Sequence, residues 1–300
     1  MIFLVDASVY VFRAYYSLPP EMVDRDGEQT HAVFGFARFL CDLMERAQPA
    51  LMAVAFDQSL SSCFRNRIYP PYKANREPAP PGLALQLERC FEFCALAGVA
   101  AVRSCDYEAD DLIGSLVARM RIEGVRATLI TRDKDFAQLV REGDVLWDYA
   151  GRDPLSYGEV ERRFGVAPER FADYLALTGD AVDNIPGVPG IGPKTASVLM
   201  REFAGLDELY DGIDRVEGLK LRGASSVRAR LLAHREAAYL ARRLTAIACD
   251  VPLDLPREAL RRRAPDLGAL AGFFDRQGFG ALLRRQVERL AQSYAPETGI

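Results

Sequence analysis

Three short apolar runs constrain this chain more than any other feature. "IFLV" (2–5), "LMAVAF" (51–56) and "ATLIT" (127–131) are continuous rather than alternating, the pattern of strands buried on both faces of a parallel sheet. "HAVFGFARFLCDLMERA" (31–47) and "GLALQLERCFEFCALAG" (82–98, closed by a glycine) repeat their apolar residues at helical spacing. Strand, helix, strand, helix predicts an α/β layered fold, a mainly parallel sheet with helices on both faces. The runs lead into aspartates: Asp6, Asp57, and the pair Asp133 and Asp135. In open α/β sheets, positions just past the carboxyl ends of the strands converge on one crevice, where such folds bind ligands.

A fourth stretch, "DYEADDLIG" (106–114), crowds Glu108, Asp110 and Asp111 before Leu112, Ile113, Leu116, Val117 and Met120, which recur at helical spacing. Acids at a helix start complement its unpaired N–H groups and dipole, so capping accounts for one or two of them. A metal site accounts for all three, and this stretch alone leaves both readings open. Asp180 and Asp183 in "TGDAVDN" read, in isolation, as ordinary turn residues. Together the nine acids border one sheet edge or the turn beside it. Such charge repels itself at about several kcal/mol, which points to hard divalent cations, two magnesium or manganese ions, as partners. His31 and His234 are the only histidines and lie in no motif, which argues against zinc.

The net charge of -4 disfavours a nucleic-acid partner at first sight. Without the nine clustered acids, however, 33 acidic residues face 38 Lys and Arg, a remainder of +5. "FRNRIYPPYKANREPAPP" (64–81) interleaves Arg65, Arg67, Lys73 and Arg76 with Tyr69 and Tyr72, which reads either as a solvated loop or as a groove for single-stranded nucleic acid. In "IPGVPGIGPKTA" (185–196), Gly187, Gly190 and Gly192 precede Pro193, Lys194 and Thr195. This is a helix-hairpin-helix pattern, in which glycines let backbone N–H groups meet a phosphate at a helix N-terminus. A basic helix is expected over 225–247 and another in "FGALLRRQVERLAQSY". The six cysteines are scattered, no apolar run approaches membrane-spanning length, and "MIFLVDASVY" lacks the basic flank and length of a signal peptide. A reduced cytoplasmic protein with no membrane partner is the expectation.

The segments "VDAS", "FDQS", "FRNRIYPPYKANR", "YEADDLIG", "TRDKDFAQLV", "LALTGDAVDNIPGVPGIGPKTA" and "LTAIACDVPLDL" occur in the order and spacing of the 5′-nuclease family. The chain resembles the 5′ to 3′ exonuclease domain of bacterial DNA polymerase I and free-standing flap endonucleases, from Met1 to about Leu255. The resemblance implies a PIN-like α/β nuclease core over residues 1–167, with an arch or clamp at about 63–82. A helix-hairpin-helix and C-terminal helical region would follow over 168–300. It implies a first metal group of Asp57, Glu108, Asp110 and Asp111 with Asp6 nearby, and a second of Asp133, Asp135, Asp180 and Asp183. Arg13, Tyr72, Lys73 and Arg76 would handle the scissile phosphate and its neighbouring base, with Tyr72 stacking that base. Arg65, Arg67 and the hairpin residues Gly187, Gly190, Gly192, Lys194 and Thr195 would bind DNA, the hairpin with a potassium ion. The implied protein is a monomer that cleaves 5′-flap, branched or 5′-ended duplex DNA and works beside a separate polymerase. A catalytically weak DNA-binding module and a ribonuclease on a related acidic α/β fold are the alternatives.

Overall fold

The computed structural model describes residues 1–58, 63–149, 151 and 153–294. Its centre is a five-stranded parallel sheet in the order β3-β2-β1-β4-β5. The strands are β1 (Ile2–Asp6), β2 (Leu51–Asp57), β3 (Ala100–Ser104), β4 (Ala127–Ile130) and β5 (Val145–Trp147). The three apolar runs are therefore the three middle strands, where both faces are covered. β3 and β5 are the edges: Ala100–Ser104 is only partly buried and carries Arg103, and β5 has three residues.

One face is covered by α1 (Ala7–Ser17), α2 (His31–Ala47) and, after the short α3 (Phe64–Ile68), α4 (Leu83–Leu96). α5 (Ala109–Ile122) packs on the other face, burying Leu112, Ile113, Leu116, Val117 and Met120, the residues its spacing predicted. Helices on both faces bury the parallel sheet as that architecture requires.

After α6 (Tyr157–Phe164) the chain is helical: α7 (Phe171–Thr178), α8 (Pro193–Glu202) and α9 (Leu206–Asp211) surround the hairpin. The basic segment expected as one helix over 225–247 is two, α10 (Ala224–Ala233) and α11 (Arg235–Thr245), parted at His234. The break lets α10 bury Val227 and Leu231 against the 213–218 turn, while α11 packs Ala238, Ala241 and Leu244 along α7.

The last elements, α12 (Leu267–Gln277) and α13 (Ala281–Ser293), return to the α/β layer instead of extending the helical one. Arg262 N–H donates to Ala50 O (2.9 Å), Arg263 N–H to Gly98 O (2.8 Å), and the two helices pack on α4 and α2. Gly98 permits this, because a Cβ there would stand 2.3 Å from Arg263 O. Among the described residues no helix is long and apolar enough to cross a membrane.

Candidate active site

The carboxyl ends of the strands open into a cavity of about 860 Å³. Its floor carries Asp6, Asp57, Glu108, Asp110 and Asp133; α1 contributes Val9, Phe12 and Tyr16; the segment Pro70–Pro80 passes over it with Lys73 and Arg76. Two hydroxyls that the sequence reading passed over orient the acids. Ser8 Oγ donates to Asp57 Oδ2 (2.5 Å), and Ala109 N–H to Asp57 Oδ1 (2.8 Å). Thr131 Oγ1 donates to Asp6 Oδ2 (2.9 Å) and accepts from Asp133 N–H (3.0 Å). The available signal was position alone, each hydroxyl lying two residues from an acid of the cluster.

Burial and mutual repulsion make these acids reluctant to ionise together. Burial first, then Asp57 and Asp133, push Asp6 up to about 7. Burial and then Asp133 push Asp135 to about 7, and Asp110 and Asp133 are raised chiefly by burial. Burial also raises Glu108, but Lys73 and Arg65 outweigh it and hold that carboxyl below its usual range. Asp180 is likewise lifted by burial and brought below the usual range by Lys134.

The protein's own cations partly neutralise the cluster. Lys73 Nζ pairs with Glu108 and lies 3.9 Å from Asp183; Arg76 pairs with Asp183 at 2.5 Å; Lys134 pairs with Asp180 at 2.5 Å. Asp135 Oδ1 is buried and accepts no hydrogen bond, although the Lys134 ammonium is 3.2 Å away. Among the described residues no three acids already form a ready ligand cluster. An all-oxygen donor set, with several members unwilling to ionise and one buried oxygen met only by an ammonium, nevertheless fits a hard divalent cation.

The segment over the cavity is docked on the 180–184 turn. Lys73 N–H donates to Asp183 O (2.9 Å), Asn75 Nδ2 to Ala181 O (2.9 Å) and Asn184 Nδ2 to Pro71 O (2.7 Å). Lys73 takes φ +56°, a left-handed backbone that costs a non-glycine residue about 1–3 kcal/mol and that these contacts hold in place.

Two expected roles need correction. Asp111 is 0 % exposed and does not line the cavity. Its oxygens accept from Arg65 (2.7 and 2.8 Å), Ala248 N–H (2.8 Å) and Glu108 N–H (3.1 Å), which leaves no lone pair for a metal. The two readings of "YEADDLIG" thus overlap: Glu108 and Asp111 form the capping box of α5, while Glu108 and Asp110 line the cavity. Arg65 is 1 % exposed and saturated by protein acceptors, so it cannot touch DNA. Tyr72 lines the cavity but is 3 % exposed, with its hydroxyl on Glu108 Oε2 (2.7 Å) and the Lys73 ammonium 4.9 Å from its ring centre. The exposed ring at the cavity is Tyr16, 71 % exposed one turn beyond Phe12. Arg13 is exposed on α1 beside Phe12 but outside the cavity lining, and Arg67 is exposed and paired with Asp106 at 2.7 Å.

The Asp111 result makes a stability prediction. Asp111→Asn should destabilise the fold by about 3 kcal/mol, because it takes the two-oxygen charged partner from the buried Arg65 cation and leaves it only Glu108. Urea unfolding of both proteins measures this, and a loss below 1 kcal/mol would show the pair to be dispensable.

The hairpin glycines also divide. A Cβ on Gly187 would stand 2.4 Å from the backbone of Gly179 and Thr178, and one on Gly190 (φ +79°) would strike the Arg230 guanidinium. Gly187 is required by backbone packing, and Gly190 by its left-handed backbone. In front of Gly192, the N-cap of α8, nothing lies within 4 Å, and Lys194 beside it is exposed. Gly187→Ala should therefore cost about 1–3 kcal/mol of stability through overpacking. Gly192→Ala should cost less, about 0.5–1 kcal/mol for a poorer N-cap, and weaken duplex binding. Parallel melts and binding titrations decide, and the opposite pattern would reassign both glycines.

Residues 1–165 match the family model for the 5′-3′ exonuclease N-terminal resolvase-like domain, and 166–268 that for the 5′-3′ exonuclease C-terminal SAM fold. The chain belongs to the 5′-3′ exonuclease family. That membership makes it a nuclease. The 5′-3′ exonuclease of Buchnera aphidicola subsp. Acyrthosiphon pisum is 30% identical over 254 residues, 85% of this chain and 88% of that protein. DNA polymerase I of Rhizobium leguminosarum is 35% identical over 294 residues, 96% of this chain and 28% of that protein. The thermostable DNA polymerase I of Thermus filiformis is 37% identical over 284 residues, 94% and 32%. The chain thus spans about a third of the length of these polymerases. Among solved structures, the T5 D15 protein co-crystallised with metal ions superimposes with a TM-score of 0.67 at 20% identity, covering 97% of this chain and 98% of that one. The catalytic core of Rad2 in complex with DNA substrate gives 0.62 at 14% identity, covering 97% and 91%. At those identities the likeness establishes the fold.

Proposed function

We propose that this exonuclease-family chain is a metal-dependent, structure-specific 5′-nuclease that hydrolyses phosphodiester bonds of 5′-flap, branched or 5′-ended DNA. The observation that carries this reading is the convergence of Asp6, Asp57, Glu108, Asp110 and Asp133 on one cavity floor beneath Lys73 and Arg76. The T5 flap endonuclease, a structural neighbour, was crystallised with DNA and metal ions, which supports the same partners here.

Asp57, Glu108 and Asp110, with Asp6, would hold one magnesium or manganese ion, and Asp133, Asp135, Asp180 and Asp183 a second. Bound there, such ions lower the pKa of water and stabilise the attacking and leaving oxygens of an in-line displacement. Lys73 and Arg76 turn from Glu108 and Asp183 toward the phosphate and bring positive charge to it. Tyr16, with Phe12 behind it, offers the ring on which an unpaired base stacks. Residues 1–167 do the chemistry, with the segment over the cavity as the arch, and the hairpin after residue 168 grips the duplex. Gly192, Lys194 and Thr195 meet a phosphate at the start of α8 without reading sequence. A potassium ion at this loop would share it with Arg230, which already donates to Gly190 O (3.2 Å).

A 5′-labelled flap duplex with magnesium tests the reading, and product lengths clustered at the flap junction are expected. Flap binding in calcium with no cleavage in magnesium or manganese would leave a DNA-binding module. Faster cleavage of a matched RNA flap would make the chain a ribonuclease.

A further inference from the structure

Arg65 joins three segments that are far apart in sequence. It lies on α3, at the base of the segment that crosses the cavity, and all five of its N–H donors are used. Nη1 donates to Glu108 Oε2 (3.0 Å) and Asp111 Oδ2 (2.7 Å); Nη2 donates to Asp111 Oδ1 (2.8 Å) and Ala246 O (3.0 Å); Nε donates to Leu244 O (2.8 Å). Asp111 and Glu108 begin α5, and the two carbonyls are among those the last turn of α11 leaves unpaired.

We infer that Arg65 is a positioning residue of the nuclease, which fixes the Glu108 carboxylate through the first turn of α5 and locks that turn to the end of α11. The inference rests on the nuclease reading above. Glu108 Oε2 has two partners, the Tyr72 hydroxyl and Arg65, whereas Oε1 meets the partly exposed ammonium of Lys73. Lys73 is the cation that must leave when the site engages a phosphate, so Arg65 is the charged partner that stays. Its Nη1 is shared between Glu108, which faces the cavity, and Asp111, which does not. Movement of the α11 end is therefore transmitted to one cavity acid through a single rigid plane. A lysine, with a compact charge and no fork, cannot reach all four acceptor residues at once.

The test compares the parent with Arg65→Lys, Arg65→Met, and Arg65→Met combined with Asp111→Asn. Each is measured for melting temperature, manganese affinity by titration, flap-duplex binding in calcium, and single-turnover cleavage well below every melting temperature. The double variant should melt above Arg65→Met, because Asp111 is no longer a buried charge without a partner. A positioning role predicts that cleavage and manganese affinity nonetheless stay about 10- to 100-fold down in all three variants, the usual scale for losing a residue that orients a ligand. Duplex binding should remain close to parental. Cleavage that recovers in step with melting temperature in the double variant, or parental cleavage and manganese affinity in Arg65→Lys, would overturn the inference and leave Arg65 a purely structural residue. Absence of cleavage in the parent would sink the nuclease reading instead, and the manganese titrations would still judge Arg65.

Discussion

Lys73→Ala is expected to slow single-turnover cleavage of a flap duplex by about 100- to 1000-fold, the scale for removing one preorganised charge aimed at a transition state. The position is prepared at some cost: the backbone is left-handed at φ +56°, tied to Asp183 O, and the ammonium lies 4.9 Å from the centre of the Tyr72 ring. Burial works against the charge, but Glu108 and Asp183 outweigh it and hold the lysine above its ordinary pKa. Lys73 is therefore fully charged at neutral pH. Lys73→Arg should rescue poorly, since a planar fork replaces a compact point charge in a half-buried space. A variant that changes KM while kcat stays parental would make Lys73 a uniform binding contact.

What the sequence shows of the site depends on the range of the interactions. The middle strands were legible because burial on both faces leaves an unbroken apolar run, and α2 spans the residues its spacing predicts. The edge strands were not, since β3 is half covered and β5 too short to show a pattern. The acids at the sheet edge followed from strand order alone. Which of them face the cavity did not, because Asp111 is claimed by Arg65 from 46 positions away and by Ala248 from 137. The partners of Tyr72 were out of reach for the same reason. An aromatic among basic residues signals a base platform, yet its partners Glu108 and Asp183 are 36 and 111 positions distant. The break at His234 and the return of α12 and α13 to the sheet are likewise tertiary outcomes, without a glycine or proline at His234 to announce the first.

Asp110→Asn carries the largest expected loss. Cleavage in magnesium should fall by at least about a thousandfold, because bound metal supplies several kcal/mol of transition-state stabilisation and about 1.4 kcal/mol is a factor of ten. The fold should not suffer. Asp110 Oδ1 accepts the Asp111 N–H (2.7 Å), and the amide oxygen of asparagine can keep that bond. What disappears is one buried negative charge beside Glu108 and Asp111, in a place where burial already opposes ionisation. Relief of about 1 kcal/mol would raise the melting temperature of the metal-free protein by about 2–4 °C, as expected where stability has been given up for function.

Thermal melting of the parent and Asp110→Asn, in EDTA and across a manganese series, tests most directly whether this crevice is a metal pocket. Metal that binds the folded state should raise the parent's melting temperature with concentration, while Asp110→Asn should start higher in EDTA and gain less from manganese. A lower melting temperature for Asp110→Asn in EDTA, with a manganese response equal to the parent's, would make Asp110 a helix-capping acid and contradict the shared metal pocket.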